Sequence, residues 1–190
     1  MKKTKKQIVF ETAAELFMEK GYLAASMREL AERVGLEQAS SLYNHLKSKE
    51  EVLRKICLEN ADKFIAGISS IEQSGATPTE QLKALIRLHV HIATENPTST
   101  TVFNDEWRHL SEPFLSDFLE KRRDYENRFK KIIDIGIESG VFKNIDSTIA
   151  LYTILSSFRW IHYWYKPGRK VSVEKLEADV FAMLVEGLKG

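Results

Sequence analysis

A chain of 190 residues with 43% hydrophobic and 29% charged residues can bury one core or two small ones, which excludes an intrinsically disordered chain. Its single cysteine, Cys57, excludes an internal disulfide and a cysteine-rich zinc site, and the formal net charge is only +1. That charge is uneven, because residues 1–49 carry nine basic side chains against six acidic ones while the remainder is slightly acidic, which suits phosphate contact at one end.

The opening stretch, MKKTKKQIVF, is not followed by an apolar run of signal-peptide length, and no stretch reaches the length of a membrane span. A cytoplasmic protein without membrane contact is therefore expected. Thr4 and Gln7 form a capping-box pattern, so a first helix is predicted from there to Lys20, with Ile8, Ala13, Leu16 and Phe17 on its inner side. Lys2 and Lys3 precede it, either as an arm touching phosphate or minor groove or as an unordered terminus.

Residues 26–49, SMRELAERVGLEQASSLYNHLKSK, read as two short helices joined by a tight turn. Ser26 and Glu29 make a second capping box, Ala31 is small enough for a close helix crossing, and Gly35 supplies the left-handed residue that ends the helix. A second helix over about 38–45, rich in small polar residues, gives helix-turn-helix spacing with an N-terminal part able to enter a DNA major groove. Ser48 and Glu51 start a longer helix over about 49–70, with Val52, Leu53, Ile56, Phe64, Ile65 and Ile68 apolar along its length. Cys57 within it reads as a small core residue rather than a redox sensor.

The rest of the chain also reads as helices. Thr77, Pro78 and Glu80 start one that runs to residue 95, and Asn96-Pro97 ends it. Further helices are predicted over 99–110, from Ser111 and Pro113 to 139, from the Asp146 cap to 165, and from the Ser172 cap to 188, with Pro167-Gly168 as a break. The expected fold is all-α with about nine helices: a three-helix helix-turn-helix domain over 1–49, and a helical bundle over 50–190 for ligand binding and dimerisation.

The helix over 147–165 is apolar on more than one side and must be buried all round. Its stripe of Leu151, Leu155 and Phe158, together with Leu176, Val180, Met183, Leu184 and Leu188 of the last helix, is the expected dimer interface. A two-fold homodimer would set two heads about one DNA turn, roughly 34 Å, apart for a palindromic operator; the alternative is a monomer whose own chain covers these faces. No enzyme is expected. His89 and His91 point to different sides of a helix, Glu106 and His109 form the one E-x-x-H pair, and no Gly-rich phosphate loop or G-x-S-x-G elbow occurs, so neither a metal site nor a cofactor is expected.

Ala13-Ala14, Leu16-Phe17, Lys20-Gly21-Tyr22, Ser26, Arg28, Leu30-Ala31, Gly35, Leu42-Tyr43, His45 and Ser48-Lys49-Glu50 together resemble the DNA-binding domain of the TetR family of bacterial transcriptional regulators. Two departures stand out: Ala25 occupies a position where the family usually has Thr, and the stretch from Gly35 to Tyr43 is one residue longer than usual. An extra residue turns a helix by about 100°. Gln38, Ser40, Ser41 and Asn44 are the expected base readers. Ser26, Arg28, Tyr43, His45, Lys47 and Lys49 complete the DNA surface, mainly on phosphates.

The resemblance also implies an effector pocket in the C-terminal part, for which Phe103, Trp107, Phe129, Trp160, Tyr163 and Trp164 are the aromatic candidates. Glu106-Trp107-Arg108 and the run from Phe158 to Gly168 are similar to TetR regulators of fatty-acid, steroid and acyl-CoA degradation. By that similarity the effector is acyl-CoA-like or another amphipathic carboxylic compound, with Arg159 as its anion partner. The expected function is a homodimeric repressor released from its operator by this ligand. The alternatives are an effector-independent DNA-binding protein and a small-molecule-processing helical enzyme.

Overall fold

The computed structural model describes residues 4–165 and 171–186. Among these residues the regular structure is entirely helical. The nine α-helices are α1 (Lys5–Lys20), α2 (Met27–Arg33), α3 (Lys49–Gln73), α4 (Pro78–Glu95), α5 (Pro97–Asp105), α6 (Phe114–Glu138), α7 (Ser147–Phe158), α8 (Ile161–Trp164) and α9 (Val173–Phe181). Two 3₁₀ segments, Ala39–Asn44 and Trp107–His109, and a π-helical turn, Ala182–Glu186, complete the list. Lys2, Lys3, Pro167, Gly168 and Leu188, to which roles were given above, lie outside the described residues.

Local signals set most helix ends. The Thr4 hydroxyl accepts from the Gln7 N–H at 3.2 Å while the Thr4 N–H donates to Gln7 Oε1 at 2.8 Å, and Thr77 with Glu80 repeats this reciprocal cap at α4. Ser26 caps α2 by accepting from the Glu29 N–H, but the Glu29 carboxylate turns to Lys20 (2.6 Å) and Arg33 (3.3 Å), because two cations offer more than one backbone N–H. Gly35, at φ +72°, ends α2 as expected. Its N–H donates to Glu32 O and the Leu36 N–H to Ala31 O, the paired bonds of a Schellman turn.

Three elements differ from expectation. The helix predicted over 38–45 is a 3₁₀ segment, whose N-terminal Gln38 offers no side-chain cap; two adjacent serines in so short a run favour local bonds over α geometry. The helix predicted over 147–165 is broken: α7 ends at Phe158, Trp160 adopts φ −99° and ψ −8°, and α8 is a single turn. While α4 stops at Glu95 as expected, the helix predicted over 99–110 begins at Pro97, where the missing N–H costs nothing, and ends at Asp105.

By packing, the chain forms two compact units that do not divide at residue 49. The first comprises Met1–Asn60 with Thr98–Phe118; the second comprises Ala61–Pro97 with Leu119–Gly190. The core of the first is built from Leu16, Phe17, Leu30, Leu42, Leu46, Leu53 and Val102, all nearly inaccessible. Burying Leu42 and Leu46, four residues apart, contributes about 1.5–3 kcal/mol each and anchors the 3₁₀ segment. In the second unit α4 packs against α7, α8 and α9 through Leu82, Leu85, Ile86 and Val90.

Candidate functional site

The helix-turn-helix head is α1, α2, the 3₁₀ segment and the start of α3. In a 3₁₀ helix residues three apart share a ridge. Leu42 points inward, so Ser40 and Tyr43 form one outward ridge and Ser41 and Asn44 a second, with Ser41 half-buried. Ser40 and Gln38 are both exposed and joined by a hydrogen bond of 3.3 Å. Arg28 projects from α2 with its guanidinium 3.2 Å from Glu32, Lys47 is exposed, and His45 is half-buried at the end of the 3₁₀ segment. The structure therefore brings Arg28, Gln38, Ser40, Ser41, Tyr43, Asn44, His45 and Lys47 onto the head.

Two assignments change in character. Ser26 is occupied as the cap of α2. Lys49, expected on phosphate, is an internal brace: its ammonium donates to the carbonyls of Tyr22 (2.8 Å), Ala25 (3.1 Å) and Leu23 (3.2 Å) and lies 4.5 Å from the Tyr22 ring centroid. Three N–H donors on three carbonyls leave that ammonium no further donor for a phosphate. Arg33 is also engaged, with Glu19 at 2.7 Å and Glu29 at 3.3 Å, so part of the basic charge counted in this region ties α1 to α2. The carboxyl of Glu29 is held below its ordinary range, first by the Lys20 hydrogen bond.

The seven residues expected to line the effector pocket are divided between the two units. Phe103 and Trp107 lie in the first unit on the buried Phe118 ring, at 5.6 and 5.5 Å between centroids. Phe129 is wholly buried in the second unit. Trp160 (64% exposed), Tyr163 and Trp164 stand on the protein surface, and Arg159, also exposed, caps α7. What the second unit does assemble is a cluster around His89. That ring stacks on Phe158 (4.4 Å, 14°), lies 4.8 Å from Phe64 and 6.3 Å from Phe129, and its Nε2 is 2.8 Å from the Tyr125 hydroxyl. Burial lowers the His89 pKa to about 3 and raises that of Tyr125, so both are neutral.

The residues expected at a dimer interface differ in exposure. Leu151 (2% exposed), Phe158 and Leu176 are buried within this chain. Leu155, Val180 and Leu184 are half-buried, and Met183 is 80% exposed. The opposite stripe of α7 is the open one: Ile149 is 69% exposed, Tyr152 is exposed, and with Thr148, Thr153 and Ser156 they line a shallow concavity of about 560 Å³. Both stripes are apolar enough to be core, so periodicity alone could not choose between them.

Cys57 is buried, and desolvation followed by the nearby Glu106 charge pushes its thiol up to about 12, consistent with a core residue. No helix among the described residues is long and apolar enough to cross a membrane.

The profile described as "Bacterial regulatory proteins, tetR family" matches residues 9–56, and that of the "Tetracyclin repressor-like, C-terminal domain" matches residues 75–188. The chain belongs to the TetR family. It is 25% identical over 182 residues to the HTH-type transcriptional repressor KstR2 of Mycolicibacterium smegmatis, covering 95% of this chain and 88% of that one. The structure of the ketosteroid transcriptional regulator KstR2 of Mycobacterium tuberculosis superposes with a TM-score of 0.90 at 24% identity, over 100% of this chain and 97% of that one. The structure of AibR in complex with isovaleryl coenzyme A and operator DNA does so with a TM-score of 0.79 at 24% identity, over 96% and 98%. At such identities the two superpositions show a shared fold. As a TetR-family regulator, the protein is a DNA-binding transcriptional regulator.

Proposed function

We propose that this protein is a homodimeric, cytoplasmic repressor that leaves a palindromic operator when an acyl-CoA-like or other amphipathic ligand binds its C-terminal part, and that it acts without catalytic turnover. The observation that carries the reading is the head itself, where a helix-turn-helix presents two short polar ridges, Ser40 with Tyr43 and Ser41 with Asn44, over a core sealed by Leu42 and Leu46. Exposed hydroxyl and amide groups on a short rigid segment suit base edges, while Arg28 and Lys47 beside them suit phosphates. The repressor name of the KstR2 relative and the isovaleryl coenzyme A in the AibR complex support the regulatory direction and the ligand class.

The second copy would seat on the open stripe of α7, and Trp160, Tyr163, Trp164 and Met183 are further exposed apolar side chains that a partner could cover. Large exposed apolar side chains of this kind suit an interface. A ligand moves the equilibrium between two arrangements only by its differential affinity for them. The filled ring cluster around His89 favours a second reading, an effector-independent DNA-binding protein, because its aromatic side chains pack on one another.

Selection of duplexes from a random library with the full-length protein tests the reading. The expected product is an inverted repeat with half-sites about one helical turn apart, bound by a dimer in sedimentation. Recovery of no common sequence, or binding by a monomer to a single half-site, would contradict it.

A further inference from the structure

Thr98–Phe118 is continuous in sequence with the second unit at both of its ends, yet it packs within the unit that contains the DNA-reading head. Its 3₁₀ turn meets the connection between α1 and α2. The His109 ring lies against the Tyr22 ring, centroids 5.7 Å apart and planes 18° apart. The Lys49 ammonium is 4.5 Å from the centroid of that same ring and donates to the carbonyls of Tyr22 itself and of Leu23 and Ala25 just after it. Two residues further on, Ser111 donates its N–H to the Glu50 carboxylate at 3.1 Å and its hydroxyl to the same oxygen. Glu106 Oε2, 3.5 Å from His109 Nε2, fixes the imidazole from its own segment.

Tyr22 is buried and stands four residues before the cap of α2, so the setting of its ring fixes how α2 leaves α1. We propose that His109 is a positioning residue for DNA reading: through Tyr22 it holds the head in the arrangement that aligns the 3₁₀ ridges with base edges. This rests on the DNA-binding reading above and adds where the head is steadied by the rest of the chain. Phosphate contacts are made by long side chains and a screened field, and they tolerate small misalignment; contacts to base edges do not. Loss of the stack therefore weakens binding to the chosen sequence and leaves binding to arbitrary sequence alone. A merely structural role would lower both together.

The test uses full-length protein, the duplex recovered by selection, and a random-sequence duplex of equal length, over a salt series. His109→Ala is expected to lower affinity for the selected duplex about tenfold, a ring stack's worth, with random-duplex affinity and salt slope unchanged. His109→Phe, which keeps a flat ring, is expected to restore affinity to within about twofold. Equal losses on both duplexes, no loss, or failure of His109→Phe to restore binding overturns the proposal. Hydrogen exchange of the wild-type protein gives a readout free of variants: the amides of residues 106–111 slow on the selected duplex and not on the random one, and unchanged exchange on both overturns it. If the wild-type protein prefers no sequence, the DNA-binding reading fails first, a result distinct from all of these.

Discussion

The Lys49 ammonium and the Tyr22 ring lie 4.5 Å apart, and the same ammonium donates to the Tyr22 carbonyl at 2.8 Å. One side chain at the start of α3 thus closes the turn between α1 and α2. Lys49→Ala removes three charge-assisted bonds and should cost about 1.5–3 kcal/mol, lowering the thermal midpoint by several degrees. DNA affinity should fall without a change in salt slope, since no phosphate contact is lost, whereas Lys47→Ala should reduce the slope by about one. Salt titrations of both variants check this, and a flatter slope for Lys49→Ala would return it to the phosphate.

His89 is neutral in the folded protein, with a pKa lowered by burial to about 3, while in an unfolded chain a histidine takes up its proton near 6.5. Between about 3 and 6.5 the unfolded state binds more protons, so stability is full above that window and falls as pH drops through it. Thermal unfolding should show a midpoint that is steady above pH 7 and declines from pH 6.5 to 5. His89→Gln, which keeps a partner for the Tyr125 hydroxyl, should flatten that decline; an equally steep decline in the variant would assign it to other groups.

The two stripes of α7 should respond oppositely. Ile149→Glu or Tyr152→Glu, on the open side, should shift sedimentation from dimer to monomer with the helical circular dichroism intact. Leu151→Ala, on the buried side, should cost about 2–5 kcal/mol of folding stability. A dimer that survives both open-side changes would put the interface elsewhere.

Cys57 should remain unmodified by a neutral-pH thiol reagent in the folded protein and react fully once unfolded, because the thiolate is scarce and enclosed. Rapid stoichiometric labelling of the folded protein would contradict its place in the core.

Much of this was legible in the chain because helix ends are written locally. Thr4 with Gln7, Thr77 with Glu80, and Gly35 each act within a few residues, and each does in the structure what its pattern implies. The stretch between Gly35 and Tyr43 reads as the approach to a second α-helix, but the residues that follow the turn take a 3₁₀ segment instead. Roles set by distant partners were hidden. Lys49 reads as a surface cation until Tyr22, twenty-seven residues away, is placed beside it. Phe158 reads as an interface residue until His89 stacks on it. On α7 both faces are apolar, and only the packing of α4 shows which is inside.

The most direct test of ligand-relieved DNA binding is fluorescence anisotropy of the selected duplex with full-length protein, with and without isovaleryl coenzyme A and a long-chain acyl-CoA. The account predicts tight, salt-dependent binding that at least one of the two acyl-CoAs weakens by about tenfold or more, the scale of a coupling of 1–3 kcal/mol. Affinity that stays constant at saturating concentrations of both compounds would contradict an acyl-CoA-relieved repressor and favour the effector-independent reading.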